Sequence, residues 1–147
     1  MKLSSKYARI ERERRFLLDG FPGAAGVVRI RRIADHYIDG TGLRLREQSD
    51  DSGSPVFKLT QKVQMPASGG QQGFITSLYL TKNEFCVLSQ LAAKSLSKTR
   101  HSVPLFCIDL FEGALEGLIL AEAEFDSPTE ADSLDLPGCW NLGMRLK

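Results

Sequence analysis

The sequence alternates in character with a period of two along most of its length, and the charged residues in that alternation are sorted by sign. In an extended strand, residues i and i+2 point to the same face, so an alternating run must form a sheet with two chemically different sides. Strands are expected near Lys6–Leu18, Val27–Ile38, Leu43–Gln48, Val56–Gln64, Phe74–Leu80, Leu96–Val103, Leu105–Phe111 and Leu118–Phe125. Glu11, Glu13 and Arg15 share one face of the first, and Arg44 and Arg46 a face of the third. Lys58, Thr60 and Lys62 share a face of the fourth, and Lys98 and Arg100 one of the sixth. Asp109 lies on the seventh, and Glu122 and Glu124 pair on the eighth. The opposite faces carry Leu43, Leu45, Phe57, Leu59, Ile108, Leu110, Ile119, Ala121, Ala123 and Phe125, which require a cover.

The turns between these runs are explicit. Asp39-Gly40-Thr41-Gly42 is a tight hairpin turn, and Ser49-Asp50-Asp51-Ser52-Gly53-Ser54 closes the next hairpin. Met65 to Gly73 reads as a Gly/Gln-rich mobile loop, and Glu112-Gly113-Ala114 turns the seventh strand toward the eighth. Two helices interrupt the pattern. Thr81 and Glu84 form a capping box ahead of Phe85, Leu88 and Leu91, and Ser127-Pro128-Thr129-Glu130 is a second start signal. The fold class is therefore mostly β, an α+β chain of eight strands joined largely by hairpins. Eight strands suffice for a closed antiparallel barrel with the helices packed outside, as the cover for the apolar faces.

A wet sheet face ordinarily mixes Ser, Thr, Gln and both charges. Here the acids stand on the first and last strands and the bases on those between. The first strand is the exception, because Arg12 and Arg14 charge its other face too. Such sorting suits a filled interior. Paired carboxylates are hard oxygen ligands for Mg²⁺ or Mn²⁺, and clustered Lys and Arg fit phosphate oxygens. Seven inward bases and five inward acids sum to +2, and one divalent cation raises this to +4. A triphosphate carries roughly four to five negative charges near neutral pH, so tunnel and cargo nearly cancel.

These motifs resemble the CYTH domains, also called triphosphate tunnel metalloenzymes. Glu11-Arg12-Glu13-Arg14-Arg15 is similar to their ExExK signature. The resemblance runs on through Tyr37, Leu43-Arg44-Leu45-Arg46, Lys58-Leu59-Thr60-Gln61-Lys62, Lys98-Thr99-Arg100, Ile108-Asp109-Leu110-Phe111 and Glu122-Ala123-Glu124-Phe125, in the family's order over residues 6–126. It implies one tunnel domain over 1–147 that acts on a small-molecule triphosphate with Mg²⁺ or Mn²⁺. By that likeness Glu11, Glu13, Glu122 and Glu124 hold metal, while Arg44, Arg46, Lys58, Lys62 and Arg100 hold phosphates. Arg15 and Lys98 join the phosphate contacts, and Glu11, Glu13, Arg15 and Asp109 form the catalytic set. The implied reaction is metal-dependent hydrolysis of inorganic or organic triphosphate. The alternatives are adenylyl cyclisation on the same tunnel and a non-catalytic polyphosphate or nucleotide binder.

Three departures from the pattern weigh on turnover more than on binding. Arg15 stands where the signature has Lys, and the fifth strand carries no acid. The C-terminal segment after Trp140 is short, where the family pattern continues with a Tyr and a phosphate-contacting Lys; Arg145 and Lys147 are the basic residues there.

Composition adds exclusions. Nineteen Lys and Arg against eighteen Asp and Glu leave a net charge of +1, which gives no support for a nucleic-acid partner. Apolar runs are too short to span a bilayer, and the N-terminus holds no apolar signal core, so a cytoplasmic location is expected. Cys86, Cys107 and Cys139 have no metal spacing and read as buried or incidental thiols. His36 and His101 fall on the faces opposite the charged rows. Nothing in the sequence decides between monomer and homodimer.

Overall fold

The computed structural model describes residues 6–65, 72–134, 136–137, 140 and 142–145. The expected loop at 66–71, Cys139 and Lys147 lie outside them. Among the described residues nine strands form one antiparallel sheet: β1 Arg9–Leu18, β2 Arg29–Ile38, β3 Leu43–Ser49, β4 Val56–Gln64, β5 Gln72–Leu80, β6 Ala93–Val103, β7 Phe106–Phe111, β8 Ile119–Glu124 and β9 Leu142–Arg145. Helix α1 spans Lys82–Leu88 between β5 and β6, and α2 spans Pro128–Ser133 after β8. The order around the sheet is β5-β4-β3-β2-β6-β7-β8-β1, and pairing of β1 with β5 closes the barrel.

Strand β1 makes the closure possible by dividing its edges. One edge pairs with β8 from Glu13 to Leu17. Its Arg9–Arg12 half pairs with β5. Its Phe16–Leu18 half pairs with β9, a ninth strand that the alternation does not signal. Other differences lie at element ends. The first two strands begin at Arg9 and Arg29, two to three residues inside the expected starts. Gln72 and Gly73, expected in a loop, belong to β5, where Gly73 pairs with Gln64.

The hairpins follow from their turn residues. Gly40 adopts φ 71° between β2 and β3, a conformation that favours glycine. Beside it Gly42 lies so close to β4 that an added Cβ would stand 2.8 Å from the Lys62 carbonyl oxygen. Its own carbonyl accepts from the Lys62 N–H at 3.0 Å. Helix α1 starts as the capping box predicts. The Glu84 N–H donates to Thr81 Oγ1, and the Thr81 N–H donates to Glu84 Oε1.

The apolar core lies outside the barrel, as a polar interior requires. Phe16, Leu18, Ile108, Ala121 and Ala123 on the outer faces of β1, β7 and β8 pack with Phe106. Their cover is chiefly irregular chain: Phe21 from the β1–β2 connection, and Leu134, Leu136 and Trp140 beyond α2. The helices were expected to do this work; α1 lies over β4 and β5, and its Phe85 meets Phe57 at 4.6 Å and His36 of β2 at 6.3 Å. Full burial of each large apolar side chain stabilises by about 1.5–3 kcal/mol. The outward charges of β1 also serve this cover. Arg12 Nη1 donates to the Asp126 carbonyl at 2.9 Å, and Arg14 Nη1 to the Leu134 carbonyl at 3.0 Å.

Candidate functional site: a tunnel sorted by charge

The barrel encloses a cavity of about 760 Å³. Every expected site residue except Asp109 lines it; Asp109 is fully buried in the wall behind it. The arrangement follows from register. Glu13 stands opposite Glu124 and Arg15 opposite Glu122, so the four glutamates share adjoining strands. Across the barrel, Asp35, Arg46, Lys58 and Tyr79 form one cross-strand row, and Tyr37, Arg44, Thr60 and Ser77 another. Within the second row the Thr60 and Ser77 hydroxyls share a hydrogen bond of 2.8 Å.

Two aspartates anchor the basic side chains. Asp35, 0% exposed, accepts two hydrogen bonds from Arg46, at 2.6 and 2.7 Å, and Arg44 Nε lies 3.8 Å away. Burial pushes the Asp35 carboxyl up, but Arg46, with Arg44 and Lys98 behind it, outweighs burial and holds it below the usual range. Asp109, also 0% exposed, accepts from Lys98 Nζ at 2.7 Å and from Arg100 Nε and Nη2 at 2.7 and 2.8 Å. Burial acts upward on Asp109 as well, and Arg100 and Lys98 reverse it. Both carboxylates are committed to basic partners within the wall.

Each glutamate on the acidic wall faces a cation. Glu11 pairs with Lys62 at 3.0 Å, and Glu13 accepts from Arg15. Glu122 pairs with Arg100 at 3.0 Å and with Arg15 at 3.5 Å. Glu124, more open to solvent, lies 4.0 Å from Arg9. Burial pushes the Glu13 carboxyl up; Arg15 and Lys62 draw it back only in part, and Glu122 and Glu11 add to the rise. Among the described residues no three acidic side chains stand close enough to ligate a metal with these pairings in place. The donor set nevertheless fits a hard divalent cation: four carboxylates on paired strands, whose mutual repulsion a cation relieves.

Three bases are less well matched. Among the described residues the Arg31 side chain makes one hydrogen bond, to the Ser102 hydroxyl at 3.3 Å, and its Nε is buried without a hydrogen-bond partner. Arg44 Nε is in the same condition. Lys58 leans toward the Tyr79 ring, 5.8 Å from its centroid. Burial pushes its ammonium down, and Arg46, Arg44, Arg31 and Arg9 push it further. Weakly compensated cations gathered in a half-enclosed cavity raise its positive potential.

Sequence reasoning omitted Arg9, Arg31 and Asp35 from the interior, and they move its balance from +2 to +3. The parity of Tyr37, which does line the cavity, carries the signal for Arg31 and Asp35. Of the cysteines, Cys86 is exposed on α1, whereas Cys107 lines the tunnel with Sγ 3.9 Å from Ser102 Oγ. The histidines stand away from the charged rows. His36 bonds to Ser95 Oγ, and His101 packs on Phe21 at 4.7 Å.

No family profile matches the chain, and no curated protein matches it either. Solved structures do. The inorganic triphosphatase NE1496 is 22% identical over 89% of this chain and 83% of its own, with a TM-score of 0.53. A candidate adenylate cyclase from Bacillus halodurans is 20% identical over 86% of each chain, with a TM-score of 0.59. The PH1012 protein of Pyrococcus horikoshii is 14% identical over 83% of each chain, with a TM-score of 0.54. At these identities the likeness is one of fold: the chain shares the closed antiparallel barrel of these proteins.

Proposed function

We propose that the tunnel binds a triphosphate together with a divalent cation, Mg²⁺ or Mn²⁺, and hydrolyses its terminal anhydride. The observation that carries this reading is the division of one cavity into a glutamate wall on β1 and β8 and a cationic wall on β2, β3 and β4. That division gives separate places to a metal and to phosphate oxygens. The shared fold with an inorganic triphosphatase and the ordered motifs support it.

In this reading Glu11, Glu13, Glu122 and Glu124 hold the cation. When bound, it neutralises phosphate charge and lowers the pKa of nearby water. Arg31, Arg44, Arg46 and Lys58 hold the phosphate chain in line and draw charge onto the leaving diphosphate. Lys62 and Arg15 rest on glutamates in the free chain and turn to phosphate oxygens when the acidic wall is loaded, while Arg100 exchanges its Glu122 contact for phosphate without leaving Asp109. Asp109 acts through Lys98 and Arg100, which it fixes in place, and Asp35 acts in the same way through Arg46. A water beside the acidic wall attacks the terminal phosphorus as the bond to the bridging oxygen breaks. Orthophosphate and diphosphate result, and the proton released passes to solvent through a wall carboxylate.

The test is a screen of tripolyphosphate, ATP and thiamine triphosphate with each divalent metal, with all products identified. Orthophosphate release supports hydrolysis, cyclic AMP with pyrophosphate replaces it with cyclisation, and tight binding without turnover replaces it with a binding role.

A further inference from the structure

Each of the four glutamates of the acidic wall has a cationic partner in the free chain, and these partners differ in how firmly they are held. Arg100 touches Glu122 but also gives Nε and Nη2 to Asp109, which fixes it in the wall. Arg9 comes within 4.0 Å of Glu124, and both side chains are largely in solvent. Arg15 and Lys62 are the members free to leave. Their side chains are 45% and 33% exposed, whereas the glutamates they cover are far more enclosed.

Arg15 holds two carboxylates at once. It lies two residues from Glu13 on β1 and stands opposite Glu122 of β8. Its Nη2 donates to Glu13 Oε1, and its Nε lies 3.5 Å from Glu122 Oε1. One planar fork thus joins acids from two strands, a directional hold that the point charge of a lysine does not supply. A cation that draws on Glu13 and Glu122 must first displace this guanidinium.

The displacement has a cost that depends on what else is bound. A divalent ion alone would leave Arg15 and Lys62 without partners beside a tunnel already rich in unmatched bases. A phosphate chain alone could attract the two cations only by stripping Glu11, Glu13 and Glu122 of charge compensation, and enclosed carboxylates lose much by that. With both present, the metal compensates the acids and the phosphates compensate the cations. Each ligand removes the cost of the other, and such coupling is reciprocal.

We infer that Arg15 is an internal competitor for the metal site: it keeps the acidic wall occupied against a free divalent cation and yields it when phosphate oxygens receive the guanidinium. The inference rests on the proposed triphosphate reading and adds that the metal site is not preformed, so that metal and phosphate chain bind cooperatively.

The experiment measures Mn²⁺ binding in phosphate-free buffer, by the electron paramagnetic resonance of the unbound ion, for wild type, Arg15→Gln, Arg15→Lys and Arg44→Gln. Arg15→Gln should bind Mn²⁺ at least tenfold more tightly than wild type, a gain of affinity from loss of a side chain. Arg15→Lys keeps the charge without the two-point hold and should fall between them. Arg44→Gln removes the same charge from the tunnel, but its nearest carboxylate is Asp35, at 3.8 Å, so it should change Mn²⁺ affinity less than threefold. No gain in Arg15→Gln, or an equal gain in Arg44→Gln, overturns the inference. If Arg15→Gln does not fold, Arg15→Lys decides, and affinity equal to wild type overturns it. Wild type that binds no tripolyphosphate, with or without Mn²⁺, would instead overturn the triphosphate reading beneath it.

Discussion

Asp35 and Arg46 form a buried two-point ion pair across β2 and β3, with hydrogen bonds of 2.6 and 2.7 Å and neither side chain more than 6% exposed. A pair like this offers little net stability over an apolar substitute, yet removing one partner leaves an uncompensated buried charge. Asp35→Ala should therefore destabilise the barrel by about 3–5 kcal/mol. Urea unfolding monitored by circular dichroism measures this, and a loss under 1 kcal/mol would show that Arg46 finds water or another partner.

The same pair predicts how stability depends on pH. Folding lowers the Asp35 carboxyl below its unfolded value, so between the two values the unfolded chain binds more protons. The contribution is complete above the unfolded carboxylate range, roughly pH 4–5, and is lost as pH falls through the folded value. Stability should rise with pH across that acid limb, and Asp35→Asn should flatten the rise even though it also lowers the plateau. An unchanged acid slope would remove Asp35 from the account.

Lys58 predicts a dependence at the other end of the scale. Its ammonium is pushed down by burial and by Arg46, Arg44, Arg31 and Arg9, and a bound polyphosphate would push it back up. Tripolyphosphate affinity should then fall as pH rises through the lowered Lys58 value, below the ordinary lysine range. Lys58→Arg keeps its charge at any accessible pH and should flatten that fall, leaving the part due to Lys98, which burial also pushes down, while Lys58→Ala should weaken binding about tenfold at neutral pH. Titration calorimetry across pH 7–10 gives both results, and parallel profiles for wild type and Lys58→Arg would contradict the assignment.

Gly42 tests the hairpin that sets the register of Arg44. A Cβ there would meet the Lys62 carbonyl oxygen at 2.8 Å, a backbone atom that cannot swing aside. Gly42→Ala should cost about 1–3 kcal/mol, seen as a lower melting temperature. An unchanged melting temperature would mean that β3 and β4 can separate locally without loss.

Much of this architecture is legible in the sequence because a strand's two faces are written directly into alternate residues. The glutamate pairs of β1 and β8 and the basic rows of β3, β4 and β6 line the cavity as their parity requires. What escapes is what alternation does not encode. Arg29, Arg31 and Arg32 charge both faces of β2, and buried Ile33 interrupts the inner row, so Arg31 and Asp35 do not stand out. Leu134, Leu136 and Trp140 cover the outer core from irregular chain, where no periodicity marks them. Strand β9 is four residues long and pairs with half an edge of β1, too little for a pattern to register. A smaller cavity beside the tunnel, lined by β1, the Leu105 turn and α2, is likewise assembled only when the barrel closes.

The central claim, a charge-sorted tunnel that hydrolyses triphosphate with a divalent metal, is tested most directly by orthophosphate release from tripolyphosphate in wild type and Glu13→Gln. The predicted result is release that requires Mg²⁺ or Mn²⁺, stops with chelator, and falls at least a hundredfold in Glu13→Gln while the variant's melting temperature holds. Equal release by the two proteins, or wild type that neither binds nor cleaves tripolyphosphate with any divalent metal, would contradict it.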